Sequence, residues 1–143
     1  MKRLLDAVVA YISADEQMQA FMGIGGPYTF MPEPTPALPF ILITQIGGTP
    51  NWQGFSRTYV ARAHLQITLW DRDAIEVQTN AEYVCSKLDV LGSLTLGGVE
   101  LCRLPIRVEE PRFLPITSDV DGVAKFGCVL EYRFNVQRTR GVV

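Results

Sequence analysis

The N-terminal part of the chain has apolar residues at helical spacing. Every third or fourth position over residues 3–12 is apolar, which predicts an amphipathic helix with Leu4, Leu5, Val8 and Ile12 on its buried stripe. Residues 13–16 read Ser-Ala-Asp-Glu and match the S-x-x-E capping box, so we expect a second short helix to start there. It would carry the apolar residues of 18–22 and end at the glycines of 23–26.

Two strand patterns follow a proline-rich connection. Residues 27–39 contain five prolines, which only an extended or turning segment accommodates. The apolar run at 39–46 predicts a buried strand, and the polar, glycine-containing stretch 47–57 predicts a loop. Residues 58–70 alternate, with one apolar face made of Tyr59, Ala61, Ala63, Leu65, Ile67 and Leu69.

A helix is predicted from Asp73 to about Leu91. Asp71 or Asp73 can cap its start, and Gly92 is the expected stop. Its core stripe consists of Val77, Ala81, Val84, Cys85, Leu88 and Leu91.

The last third of the chain is rich in strand patterns. Residues 99–108 alternate, with Cys102, Leu104, Ile106 and Val108 on one side. Residues 109–121 are predicted as a loop and Asp121-Gly122 as a turn. A long strand over 123–137 would bury Phe126, Cys128, Leu130, Tyr132, Phe134 and Val136.

These elements predict an α+β fold. Clean alternation on the two longest strands favours an antiparallel β-sheet with helices packed on one face and a polar face left open. At ~3.3 Å per residue each long strand spans about 40–50 Å, more than is usual. Either the strands bend, or their ends project beyond the core as a β-hairpin arm that a neighbouring subunit could cover.

Composition places the chain among ordinary globular proteins. Its 143 residues suit a single domain over residues 1–143, and a formal charge of −2 gives no reason to expect a nucleic-acid or anionic-membrane partner. No stretch approaches the roughly 18 apolar residues of a membrane span. The three cysteines, odd in number and widely spaced, argue against a disulfide framework or a zinc site.

Each residue type that could carry catalysis is better explained here by a structural or solvent-exposed role. His64 is the only histidine, and the pattern puts it on the polar side of a strand without a nucleophile beside it. Cys85 and Cys128 fall on apolar faces, which predicts buried, inert thiols. Glu109 and Glu110 are adjacent on an extended chain, so their side chains point to opposite sides.

Two motifs for ligands are also incomplete. Residues 119–122 read Asp-Val-Asp-Gly, a fragment of a calcium loop, but the later bidentate glutamate is missing and a hairpin turn explains the same residues. The glycines at 23–26 follow a helix and are not followed by Gly-Lys-Ser/Thr, so a helix cap and turn is preferred to a phosphate loop. We therefore expect no catalytic residues, no metal and no cofactor.

Trp52, Phe55 and neighbouring Arg57 are the candidate interface residues. Two aromatic residues in a loop of Gly, Pro and Asn have no obvious core to join, and aromatic and arginine side chains are enriched at protein interfaces. The alternative is that the loop folds back and buries the two rings.

The order and spacing of these elements resemble the tail-completion, or tail-terminator, proteins of long-tailed bacteriophages and of phage-derived gene transfer agents. The matching features span nearly the whole chain. They are the helix ending in Ser13-Ala14-Asp15, the short helix before Gly23-Ile24-Gly25-Gly26, the strand Pro39-Phe40-Ile41-Leu42-Ile43, the long strand closing on Leu69-Trp70-Asp71-Arg72, the helix from Asp73, and the Asp121-Gly122 turn before a long last strand. All of them are structural, and none is catalytic.

The resemblance implies a structural virion protein and not an enzyme. Such a protein forms a ring, expected to be a hexamer, at the head-proximal end of the tail, after assembly in the host cytoplasm. It ends polymerisation of the tail tube protein and offers a joining surface to the head-closure or connector protein. DNA passes through the lumen without specific binding, and no membrane is involved.

The alternative functions are another head–tail connector, a small-ligand-binding α+β domain with a pocket lined by His64, Tyr132 or Glu131, and a regulatory dimer of the host.

Overall fold

The computed structural model describes residues 4–32, 35–51, 58–118 and 122–139. The helices are α1 (Leu4–Ser13), α2 (Glu16–Gln19) and α3 (Ala74–Asp89). The strands, in chain order, are β1 (Phe40–Asn51), β2 (Thr58–Asp71), β3 (Thr95–Leu96), β4 (Val99–Glu100), β5 (Ile106–Arg107), β6 (Arg112–Phe113), β7 (Thr117–Ser118) and β8 (Ala124–Thr139). The architecture is α+β, as the sequence predicts.

The first helix is confirmed, but the predicted capping box is wrong. Asp15 is the N-cap of α2, because its carboxylate accepts hydrogen bonds from the backbone N–H groups of Gln17 and Met18, both at 3.0 Å. The hydroxyl of Ser13 instead donates to the carbonyl oxygen of Val9 inside α1. An aspartate in extended conformation next to the first helical residue supplies the acceptor that the cap needs, so Ser13 is left to α1.

Three long antiparallel strands form the sheet, in the order β1-β2-β8, with β5, β6 and β7 paired to the far side of β8. β2 pairs with β8 over its whole length, from Thr58 opposite Thr139 to Asp71 opposite Phe126. The predicted loop at 47–57 is wrong for residues 47–51, which continue β1 beyond a bulge between Gln45 and Gly47. A bulge absorbs one extra residue, so the chain stays paired although glycine and proline dominate its composition there.

The core lies between the helices and one face of this sheet. The face consists of alternate residues of the long strands, namely Ile41, Ile43, Ala63, Leu65, Ile67, Leu69, Cys128, Leu130, Tyr132, Phe134 and Val136. Asp73 caps α3 as predicted, and the predicted core stripe of that helix is buried. The helix ends at Asp89, two residues before the predicted end, and Leu91 is buried from beyond the helix terminus.

The predicted strand over residues 99–108 is wrong. Val99 and Glu100 form a small hairpin with β3, Leu101 bridges to Val136, and pairing with β8 resumes only at Ile106. Of the residues predicted on one side of that strand, Cys102, Leu104 and Val108 are exposed and Ile106 is half-buried. Pro105 lies within this break, and a proline has no N–H with which to continue a ladder.

The second face of the sheet, away from the helices, differs between its two ends. At one end it is covered and not open, because Phe40 and Val129 are buried there and the Trp70 indole lies directly over Gly127. The ammonium group of Lys125 lies 4.3 Å from the centroid of the Trp70 ring. The other end of this face carries polar and basic side chains of β2 and β8, as predicted, but it is only partly open, since Arg62 is exposed and Asn135 is buried.

Candidate functional site: faces and edges of the sheet

The predicted interface residues Trp52, Phe55 and Arg57 lie outside the described residues. The strands on either side of them are described as far as Asn51 and Thr58, which are paired to Val60 and Thr139 respectively. The flanking backbone is therefore part of the sheet on both sides of the predicted loop.

One edge of the sheet is closed for only part of its length. The outer side of β1 is hydrogen-bonded to the segment after α2, through Tyr28 N–H to Ile41 O at 2.9 Å and Ile41 N–H to Met22 O at 3.0 Å. Beyond Ile43, the outer side of β1 has no backbone partner within the described residues. The bulge and Pro50 interrupt this stretch, and both are devices that keep an edge from pairing indiscriminately.

Exposed apolar side chains accompany each edge. Beside β1, in the neutral stretch 23–32, Phe30 is 71% exposed, together with Ile24 and Met31. Beside β8, Phe113 is 53% and Ile116 67% exposed, together with Leu104 and Val108. We call these the β1-edge patch (Ile24, Phe30, Met31, Ile46) and the β8-edge patch (Leu104, Val108, Phe113, Ile116).

The β8-edge patch is extended. Its residues flank β5, β6 and β7, which pair with β8 from Arg133 to Ala124. Nine residue steps along a strand at ~3.3 Å each correspond to about 30 Å. Clusters of exposed apolar side chains along one edge are candidate interaction sites in soluble proteins.

The second face carries a cluster of hydrogen-bond donors at the end away from Trp70. Arg62 lies opposite Asn135 and His64 lies opposite Arg133 in the β2–β8 register. Asn135 is only 3% exposed and its Nδ2 atom has no hydrogen-bond partner within the described residues; the same is true of the buried Nε atom of Arg133. We call Arg62, His64, Arg133 and Asn135 the donor cluster.

Neither arginine of the donor cluster has an ion-pair partner among the described residues. Glu131 lies on the same face, two positions before Arg133 and opposite Gln66, but forms no ion pair there. Two cations on neighbouring strands repel each other, and a buried donor without an acceptor costs about 1–3 kcal/mol. Both unpaired atoms, Nε of Arg133 and Nδ2 of Asn135, are buried within the chain itself, whereas the side chain of Arg62 is exposed.

The helical side has the opposite charge. Helices α1, α2 and α3 with their two N-caps contain seven carboxylates and one lysine, Lys87. Glu16, Glu76 and Glu82 are exposed. The two sides of the sheet are thus electrostatically complementary.

A cleft of about 570 Å³ lies between α3 and the segment from β5 to β6. Its walls include Cys85, Asp89, Arg107, Glu110 and Phe113. Arg107 forms a close ion pair with Asp89 and a second contact with Glu110 at 3.3 Å between Nη1 and Oε2. The hydrogen bond to Asp89 raises the pKa of Arg107 further above its usual range. These charges therefore already satisfy one another.

The pocket expected for a ligand-binding domain is not found at this cleft. His64 and Glu131 do not line it, and Tyr132 is fully buried behind it with its hydroxyl donating to Asp89. Glu109, the other member of the adjacent acidic pair, contacts Arg112 at 3.7 Å, so the two glutamates do not converge.

The predicted burial of Cys85 and Cys128 is confirmed, whereas Cys102 is exposed. Cys85 and Cys128 are buried, and desolvation raises the pKa of Cys85 and raises the pKa of Cys128 to about 11. A protonated thiol is a poor nucleophile and metal ligand. The described residues contain no group of three or more His, Cys, Asp or Glu side chains placed to hold a metal ion.

The glycine-rich segment at 23–26 forms a turn, while the predicted Asp121-Gly122 turn lies mostly outside the described residues. Gly23, Gly25 and Gly26 all have positive φ, but the cap of α2 is Ala20, so these glycines form the turn after the helix and not its cap. Gly122 also has a positive φ of 77°, while residues 119–121 lie outside the described part of the chain.

Sequence reasoning placed the donor cluster on a polar face but did not single it out. The alternation assigned Arg62, His64, Arg133 and Asn135 to that side, yet only the β2–β8 register brings them opposite one another. The edge patches were missed for two reasons: Ile24, Phe30, Met31, Phe113 and Ile116 lie in segments without a periodic pattern, and Ile46, Leu104 and Val108 lie in apolar patterns that predicted strands. Among the described helices, none has the length and hydropathy needed to cross a membrane. Comparisons with protein-family models and with curated protein sequences find no match to this chain.

Proposed function

We propose that this protein is a structural subunit of a phage-type tail, forming a ring that caps the tail tube, ends its polymerisation and provides the surface to which the head joins. The layout of the elements supports this function by its resemblance to tail-terminator proteins. The observation that carries the proposal is the pair of apolar edge patches at opposite edges of one sheet.

A cap on a tube needs two different partners on two opposite sides. The β1-edge patch is neutral and centred on Phe30, whereas the β8-edge patch is interspersed with Arg107, Glu109 and Arg112. Because the two patches differ in chemistry, each suits a separate partner, the tail tube protein on one side and the connector on the other. Surfaces that are not self-complementary also favour heterologous contacts, which close into rings when the rotation permits.

Another head–tail connector protein would need similar surfaces, and differs in the partners that it binds. The cleft beside α3 supports a second candidate, a small-ligand-binding domain, since its volume is within the range of pockets for small molecules. Its charged groups are paired with one another, so it offers few free polar groups to orient a ligand.

The test is a pull-down with purified tail tubes and with the connector, using one substitution in each patch. Phe30→Ser and Phe113→Ser are each expected to abolish binding to one of the two partners and to spare the other. Ile75→Ser is the matched control, because Ile75 is 73% exposed on α3 and outside both patches. If wild-type protein binds neither partner, or if both patch variants bind like wild type, the proposal is refuted.

A further inference from the structure

The cleft between α3 and the segment from β5 to β6 combines apolar walls with an excess of negative charge. We propose that it receives residues 52–57, which we call the β1–β2 connection, from a neighbouring copy of this chain. The inference rests on the proposed function in one respect, namely that copies of the chain assemble with one another.

The first observation is the size of the cleft and its apolar lining. Ala81 and Cys85 line it from α3 and are buried, whereas Pro111 and Phe113 line it from the other side and are more exposed. Its volume of about 570 Å³ is sufficient for a large aromatic side chain. Aromatic side chains seated in such pockets contribute much of the binding energy of protein interfaces.

The second observation is the charge of the cleft. Its lining includes three carboxylates, Glu82, Asp89 and Glu110, and one cation, Arg107. Asp89 and Glu110 share Arg107, whereas Glu82 is exposed and forms no ion pair among the described residues. An occupant that brings a positive charge is therefore favoured over a neutral or an acidic one.

The third observation is the composition of the β1–β2 connection. It reads Trp-Gln-Gly-Phe-Ser-Arg, so it combines two aromatic residues with one cation and contains no acidic residue. The β1-edge patch also offers an aromatic side chain, but the stretch 23–32 beside it carries no cation to pair with Glu82. The β1–β2 connection therefore matches the cleft in both apolar character and charge.

A chain cannot place this connection in its own cleft. The adjoining strand β2 ends at Thr58, opposite Thr139, whereas Tyr132 behind the cleft lies seven residues back along β8. Seven steps at ~3.3 Å each correspond to about 23 Å. A six-residue connection that must return to its partner strand reaches about three residues, or roughly 10 Å, from the strand ends. The occupant must therefore come from another copy.

Such a contact is heterologous, because one end of the sheet in one copy meets the helical side of the next. Repeated heterologous contacts close into a ring when the rotation permits. The strands β2 and β8 stay paired for three residue pairs beyond Ala61 and Val136, so they carry the connection outward from the core. The β1-edge patch stays free for another partner.

Disulfide trapping tests the position of the contact. The background is Cys102→Ser, because Cys102 is exposed while the other two thiols are buried. In this background, Gln53→Cys/Ser86→Cys is assembled on purified tail tubes and oxidised, and it is expected to give a ladder of covalent multimers on a non-reducing gel. Ser86 is exposed and lines the cleft. Gln53→Cys/Ala74→Cys is the matched control and should stay monomeric on the gel, since Ala74 is exposed on α3 outside the cleft.

Charge reversal tests the electrostatic part by native mass spectrometry over a concentration range. Glu82→Lys and Arg57→Glu are each expected to need a roughly tenfold or higher concentration for assembly. A mixture of the two should recover, because each connection then meets a cleft of opposite charge in an alternating assembly. Glu76→Lys and Arg62→Glu are the controls, since both residues are exposed and outside the contact, and they should assemble like wild type. None of these variants changes Phe113, which also belongs to the β8-edge patch.

The possible outcomes separate this inference from the proposed function. Assembled protein that forms no crosslinked multimers, or reversed variants that both assemble like wild type, would overturn the inference and leave the proposed function standing. A crosslink formed within single chains would also overturn it, because the connection would then reach its own cleft. Wild-type protein that stays monomeric both alone and with tail tubes would overturn both.

Discussion

The hydroxyl of Tyr132 donates a hydrogen bond of 2.8 Å to Oδ1 of Asp89, joining the middle of the longest strand to the last residue of α3. The other carboxylate oxygen of Asp89 is paired with Arg107 in β5. One carboxylate therefore connects the core strand, the helix and the segment that carries the β8-edge patch. The position of that patch depends on a partly buried polar link as well as on apolar packing.

Replacing Tyr132 by phenylalanine should weaken this link. The substitution removes the donor and leaves a charged acceptor with one partner fewer, so the free energy of unfolding should fall by about 1.5–3 kcal/mol. Urea unfolding followed by circular dichroism measures the change. Tyr28→Phe is the control, because its hydroxyl donates to Ile24 at an exposed site and its loss should have a much smaller effect. Equal losses in the two variants would contradict the importance of Asp89.

Gly127 is required by the indole ring above it. A Cβ at this position would come within 2.5 Å of the Trp70 ring, so Gly127→Ala should destabilise the protein by about 1–3 kcal/mol and change the fluorescence of Trp70. Gly47→Ala is the control, because a Cβ there meets nothing within 4 Å. An unchanged midpoint of unfolding in Gly127→Ala would show that the ring does not lie over Gly127.

Substitution can show whether Asp15 or Ser13 is the N-cap of α2. Asp15→Ala removes the cap and the acceptor of the Tyr83 hydroxyl, and should lower stability by about 1–2 kcal/mol. Ser13→Ala should cost clearly less, since Ser13 only bonds to a carbonyl oxygen that α1 already uses. Thermal unfolding of the two variants measures this difference in stability. A larger loss of stability in Ser13→Ala than in Asp15→Ala would favour the capping box instead.

The three cysteines should react at very different rates. Cys102 is exposed, whereas burial raises the pKa of Cys85 and of Cys128, the latter to about 11. At pH 8.5, iodoacetamide should therefore modify Cys102 first, and peptide mass spectrometry would show the order. Fast modification of Cys128 in native protein would contradict its burial.

The same pKa shift has a consequence for stability. Because folding raises the pKa of Cys128 from an ordinary value of 9.0, the folded state holds the thiol proton more tightly than the unfolded state does. This contribution is complete below about pH 9 and is lost as the pH rises toward 11. Cys128→Ser should therefore show a weaker loss of stability over that range than wild type, and an equal loss would contradict the assignment to this thiol.

The predictable part of the fold is the part with long periodic patterns. The alternation in residues 58–70 and 123–137 and the helical stripe after Asp73 predict which side chains face the core. The structure confirms the helical stripe and the burial of residues 63–69 and 128–136 on the inward face, whereas Ala61 and Phe126 are half-buried. The alternation in residues 99–108 was equally regular, but Pro105 interrupts the ladder and the pairing with β8 breaks on either side of it. Conversely, the glycines and Pro50 indicated a loop where a bulge lets an edge strand continue to Asn51.

The candidate site was less accessible to sequence reasoning, because it depends on pairing between distant segments. Arg62 and Asn135 are 73 positions apart in the sequence, and their contact follows only from the β2–β8 register. The edge patches likewise depend on which side of β8 the short strands occupy.

The most direct test of the central claim is electron microscopy of tails from the producing particle after deletion of the gene for this protein. Loss of a ring that ends polymerisation should leave headless tails of uncontrolled length, and supplying the wild-type gene should restore a single length. Tails of normal, uniform length joined to filled heads in the deletion strain would contradict the account.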